Sequence, residues 1–138
     1  LWIVGTHMNT EIKNLASGDI EVTEGLKDIR DAYKNASVLV APIKGPGGTR
    51  LKILEAMASA LPVVTTSVGA EGLGVSDNNE ALIRDSLDSL ADAAISILKD
   101  SNLAYRLGKS GKDFVEKNYT WDESADKLDK IYKEVYGG

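Results

Sequence analysis

The chain has 138 residues, 43% of them hydrophobic, with 21 Asp and Glu against 16 Lys and Arg and a formal net charge of −5. That length supports one respectable core, and the acidic balance excludes the clustered basic footprint of a general nucleic-acid binder. With no cysteine and a single histidine, His7, the chain has no disulfide, no thiolate nucleophile and no histidine-built metal centre.

The chain opens inside an apolar run, Leu1-Trp2-Ile3-Val4-Gly5, with no initiator methionine, and this reads as a piece of something longer. Strand signals recur at Leu1–Val4, Asp19–Thr23, Ser37–Ala41, Pro62–Thr66 and weakly Ala81–Arg84. Helical spacing fills the gaps at Asn9–Ala16 and Asp28–Asn35. Alternation of the two, and near-continuous runs such as Val38-Leu39-Val40-Ala41, predict a Rossmann-like, doubly wound parallel sheet with helices on both faces. From about residue 88 to 136 the pattern is wholly helical, with Asp88 as an N-cap candidate, a second helix over Asn102–Asn118 and a third capped by Thr120. The expectation is a single α/β domain over 1–138. No apolar run nears the roughly 20 residues of a membrane span, and no signal-peptide pattern occurs, which predicts a soluble, cytoplasmic domain.

Ligands in open α/β sheets bind beyond the carboxyl ends of the strands, which directs attention to the loops Pro42–Gly48 and Ser67–Gly74. The first runs into Gly45-Pro46-Gly47-Gly48-Thr49-Arg50-Leu51-Lys52-Ile53-Leu54-Glu55-Ala56-Met57. Glycines admit phosphate oxygens close to the backbone, and the first turn of a helix offers unpaired N–H groups and a positive dipole end. Counted at 100° per residue from Gly48, Lys52 and Glu55 share its face, with Glu55 roughly 10 Å along the axis. A lone acid among apolar neighbours needs a partner. A ribose whose pyrophosphate sits on the helix end would supply one; an internal salt bridge or the exposed edge of a surface helix are the other readings.

Other chemistries fit poorly. Ser59, Ser67 and Ser89 lack the nucleophile-elbow glycines and a downstream histidine. No carboxylate pair stands out as a glycosidase or two-metal site. Gly5-Thr6-His7 is not Gly-x-Gly-x-x-Gly, and Gly45–Arg50 lacks the Gly-Lys-Ser/Thr of a P-loop, which weakens NAD binding and ATP hydrolysis.

The stretch Gly25-Leu26-Lys27-Asp28, then Tyr33–Pro42, then Gly47–Ala58 and Leu61–Val64, with Asn118-Tyr119-Thr120-Trp121 near the end, resembles the C-terminal donor-binding domain of GT-B retaining glycosyltransferases of the group-one, sucrose-synthase-like type. The resemblance implies sugar transfer from a nucleotide-sugar donor to an acceptor hydroxyl with retained configuration, no cofactor and no metal. It places the donor ribose on Glu55, the second acid of the family's Glu-x7-Glu motif. The first acid falls on Gly47 and is absent, which directs the diphosphate and sugar to Gly47, Gly48, Thr49, Arg50 and Lys52. The nucleobase falls to Gly25 and Leu26. It also implies a partner: an N-terminal acceptor domain, with a strand and helix carrying an arginine and a lysine, ahead of Leu1. A piece without these is expected to be inactive alone. The competing readings are a non-catalytic Rossmann-like nucleotide-binding or assembly module and a nucleotide-sugar epimerase of the same architecture.

Overall fold

Short β-branched runs become parallel strands in a computed structural model that describes all residues except Pro46, Gly47, Thr49, Gly137 and Gly138, and the side chains of Asp122, Ser124 and Lys127. The chain forms two compact units, residues 1–35 and 36–138. In the first, β1 (Trp2–Gly5) pairs in parallel with β2 (Glu21–Glu24), and two helices follow the strands, α1 (Thr10–Lys13) and α2 (Ile29–Asn35). Asn9 caps α1 through the Ile12 amide, and Asp28 accepts the Arg30 amide at the opening of α2. Glu24 bonds Lys13 and the Met8 amide, and these hold its carboxyl below the usual range.

The second unit holds β3 (Leu39–Ala41), α3 (Leu51–Ala58), β4 (Val63–Thr65), α4 (Ser67–Ala70) and β5 (Leu82–Ile83), followed by α5 (Leu87–Lys99), α6 (Ser101–Asn118) and α7 (Trp121–Tyr136). Its three strands run parallel in the order β3-β4-β5. Alternate strand residues face opposite sides. Val63, Val64 and Thr65 are all completely buried, so β4 is covered on both faces. Val64 packs with Leu82, Leu90, Ala93, Ile97 and Leu107, which joins the sheet to α5 and α6. On α3 the buried residues are Ile53, Leu54, Ala56 and Met57. The doubly wound α/β expectation therefore holds in its strands and their direction, with the parallel pairs divided between two sheets.

Two local expectations change. The cap of α5 is Ser86, in a reciprocal capping box with Ser89, and Asp88 sits in the first turn. The segment Ser67–Gly74 begins as one helical turn, because Thr66 Oγ1 accepts the Gly69 amide. Asp85 then receives both the amide and the hydroxyl of Ser67, each at 2.8 Å. α6 is capped by Asp100 and α7 by Thr120, the latter as expected.

α3 ends in a Schellman motif: Leu61 N–H reaches Ala56 O at 3.0 Å and Ala60 N–H reaches Met57 O at 2.8 Å. Ala60 takes the left-handed position at φ 55, where glycine is the usual residue. The turn lies against α6 at Gly108, where an added Cβ would stand 2.2 Å from Ala60 O. At Gly111 the nearest atom to such a Cβ is Met57 Cγ at 3.1 Å, part of a flexible side chain. On α7, by contrast, Leu128, Ile131, Tyr132 and Val135 are each more than half exposed. Among the described residues no helix is long and apolar enough to cross a membrane.

Gly108→Ala should cost about 2–4 kcal/mol in a urea titration, because a backbone carbonyl must move, and Gly111→Ala distinctly less. Ala60→Gly should raise stability by about 1 kcal/mol by relieving the left-handed backbone, and an unchanged midpoint would contradict the assignment of strain. Asp85 supplies a pH test. The Ser67 amide and hydroxyl hold its carboxyl below the usual range. A depressed folded-state pKa stabilises the fold above the unfolded value, near 3.9, and that contribution is lost as pH falls through the folded value. Asp85→Asn should therefore lower Tm at neutral pH, with the gap to wild type closing in acid; a gap unchanged down to the acid limit would exclude the bond.

Candidate functional site

The loop leaving β3 is fastened at its start by the strand beside it. Thr65 Oγ1 donates to Ala41 O at 2.9 Å, and Thr66 Oγ1 makes a short bond to Ile43 O. Both threonines are buried, so each hydroxyl needs a partner, and the loop carbonyls provide it. At the other end Arg50 folds back over the turn: Nη1 donates to Gly48 O at 3.3 Å, and Nη2 donates to Gly45 O at 3.3 Å and to Val68 O at 3.2 Å. The end of β3, Ile43 and Arg50 are thus each bonded to residues 65–68.

The helix that follows begins at Leu51, with Arg50 in a non-helical conformation (ψ 56) whose carbonyl accepts the Ile53 and Leu54 amides. Gly48 therefore lies ahead of the helix, and an angular count from it does not apply. Glycine is a poor helix former, and the Arg50 side chain is engaged with the turn. What remains of the predicted face is Lys52 and Glu55, one helical turn apart and both exposed. Of the readings offered for the lone acid, Glu55 takes an exposed place on the helix. Ile53, Leu54, Ala56 and Met57 point into the core, and Glu55 lies on the opposite strip with Leu51 and Lys52. Gly47 and Thr49 lie outside the described residues. Gly25 and Leu26 belong to the first unit, just past the carboxyl end of β2, where Gly25 adopts φ 73 and donates to Gly5 O.

Every other helix opens on a side-chain cap: Asn9, Asp28, Thr66, Ser86, Asp100 and Thr120. Among the described residues α3 has none. Among the described residues the Leu51 and Lys52 amides meet no acceptor, and the positive end of the helix dipole lies behind them. The charge nearby agrees. Between Asp31 and Glu55 the sequence carries Lys34, Lys44, Arg50 and Lys52 and no acid, in a chain that is acidic overall. At Gly48 an added Cβ would meet nothing within 4 Å, so the turn borders open space.

The second expected loop is more ordered than its glycines suggest. A Cβ at Gly69 would stand 2.1 Å from Thr65 Oγ1, so this glycine is required by close approach, and Gly72 and Gly74 take φ 76 and 70. Tyr119 at the end of α6 donates its hydroxyl to Leu73 O at 3.0 Å and fixes the far side. Ser67, Val68, Ala70, Glu71 and Ile83 line an open cleft of about 420 Å³ here. A slightly larger cleft, about 440 Å³, lies along α6 from Ser110 to Asn118 with Asn79 and Glu80. It contains neither a glycine turn nor a helix opening. The roles of Thr65, Thr66 and Asp85 were missed in the sequence. A Thr-Thr pair at a strand end followed by Ser-x-Gly was the available signal, and it reads as strand, cap and first helical turn.

The family described as glycosyl transferases group 1 matches residues 1–100. The chain is 29% identical, over 142 residues, to the phosphatidyl-myo-inositol mannosyltransferase of Mycobacterium leprae, covering 98% of this chain and 38% of that protein. Sucrose-phosphate synthase of Thermosynechococcus elongatus is similar in structure with a TM-score of 0.75 at 26% identity, over 99% of this chain and 38% of that one. The C-terminal domain of a group 1 family glycosyl transferase from Francisella tularensis gives a TM-score of 0.67 at 26% identity, over 80% and 60% of the two chains. The chain spans about a third of the length of the curated relatives it matches. With a parallel α/β fold shared with GT-B C-terminal domains and a family match over most of its length, the chain belongs to the group 1 glycosyltransferases.

Proposed function

We propose that this chain is the donor-binding part of a glycosyltransferase that passes a sugar from a nucleotide-sugar to an acceptor hydroxyl with retention and without a metal. The observation that carries the reading is the opening of α3, uncapped among the described residues, beside a glycine turn and in a stretch, from Asp31 to Glu55, whose intervening charges are all cations. Orphan amides and a helix dipole suit a diphosphate. Gly48 offers the close approach, Lys52 a mobile ammonium one turn inside the helix, and Arg50 positive charge behind the turn.

Glu55 is one turn further along the same exposed strip, where an ionised carboxylate accepts hydrogen bonds from the two hydroxyls of a ribose. Its part is binding and orientation rather than proton transfer. For the nucleobase, the family resemblance offers the main chain of Gly25 and Leu26. In the transfer itself, charge builds on the leaving diphosphate, and preorganised amides and cations stabilise that charge. The similarity of the Gly47–Met57 stretch to the second half of the Glu-x7-Glu motif supports retention. The acceptor would be received by an N-terminal domain of the same protein.

A thermal-shift screen of the chain against UDP, GDP and ADP tests the reading: at least one should raise Tm, and silence toward all three would favour an assembly module. Glu55→Ala should then weaken the responding nucleotide on the order of tenfold or more, the loss expected for charge-assisted hydrogen bonds. Gly48→Val should abolish the response with little loss of fold stability, since its side chain enters open space. A calorimetric affinity unchanged in both variants would refute the placement.

A further inference from the structure

Arg50 stands where the glycine turn becomes α3, and its side chain points away from the helix it precedes. One guanidinium gathers three carbonyls from two segments: Gly48 O and Gly45 O in the turn, and Val68 O in α4. A planar fork can serve acceptors in several directions at once, whereas an ammonium is a point donor. The bonds also have an electrostatic consequence for the turn. Carbonyl oxygens facing a phosphate would repel it, and here the two glycine carbonyls are directed at the Arg50 guanidinium. Val68 is itself in a fixed element, because α4 is capped by Thr66 and held by Asp85 through Ser67.

Resting on the donor-site reading above, we propose that Arg50 is a positioning residue for the diphosphate. It takes the carbonyls of Gly45 and Gly48 out of the anion's path and ties the turn to α4. The ligand class is a nucleoside diphosphate, and the effect of Arg50 on it passes through the shape of the turn. A residue that gripped phosphate by charge would tolerate lysine. A residue that gathers three carbonyls does not.

The test is calorimetric titration of UDP, GDP and ADP into wild type, Arg50→Lys and Arg50→Ala, with backbone NMR of each protein before nucleotide is added. Both variants should lose affinity alike, on the order of tenfold. In the nucleotide-free proteins the resonances of Gly45, Gly48 and Val68 should move together. Millimolar guanidinium should restore part of the affinity of Arg50→Ala but not of Arg50→Lys, whose ammonium fills the space. Wild-type affinity in Arg50→Lys would overturn the proposal, as would Val68 resonances that stay in place. Should Arg50→Ala fail to fold, the lysine variant still decides. Absence of any response from wild type would instead sink the donor-site reading, and this proposal with it.

Discussion

The segment between β3 and α3 is bonded at its two ends to residues 65–68. Thr65 and Thr66 are buried at the carboxyl end of β4 and must bond their hydroxyls. They do so to Ala41, the last residue of β3, and to Ile43 in the loop after it. Arg50 closes the other end onto Val68, two residues beyond Thr66. A glycine-rich turn carries a high conformational entropy, and such a segment presents a fixed surface only if bonds from a rigid element offset that freedom. Residues 65–68 supply them.

The rigidity of that element comes from packing. β4 is flanked by β3 and β5 and covered on both faces, so its end moves only with the core. The same strand exit caps α4 through Thr66, and Asp85, two residues past the end of β5, secures the first residue of α4. The far end of α3 is locked by the Ala60 turn against Gly108. α3 is therefore placed by its apolar face, which leaves Lys52 and Glu55 outside.

Much of this was legible from residue patterns. Runs such as Val38–Ala41 and Val63-Val64 have few polar interruptions because both faces of a parallel strand are covered, and the strands lie there within two residues. The cap at Thr120 was readable from its side chain and the following turn. The orientation of Glu55 was misread for a physical reason. Helical neighbours at i±1 point about 100° away, so an acid flanked by Leu54 and Ala56 shares neither of their directions. The start of α3 was placed three residues early because glycine spacing marks a turn but not where helical dihedrals begin. The division of the strands into two sheets and the three-carbonyl hold of Arg50 depend on long-range pairing, which local periodicity does not carry.

In the proposed donor site an anion is received at the opening of α3, and Arg50 just ahead of it is bonded to Val68 O. Amide hydrogen exchange of the chain, with and without a saturating nucleoside diphosphate, probes that step. Added protection should centre on Leu51 and Lys52 at the opening of α3, with the amides along α6 from Ser110 to Asn118 unchanged. Protection appearing along that stretch of α6, or none at α3, would contradict it.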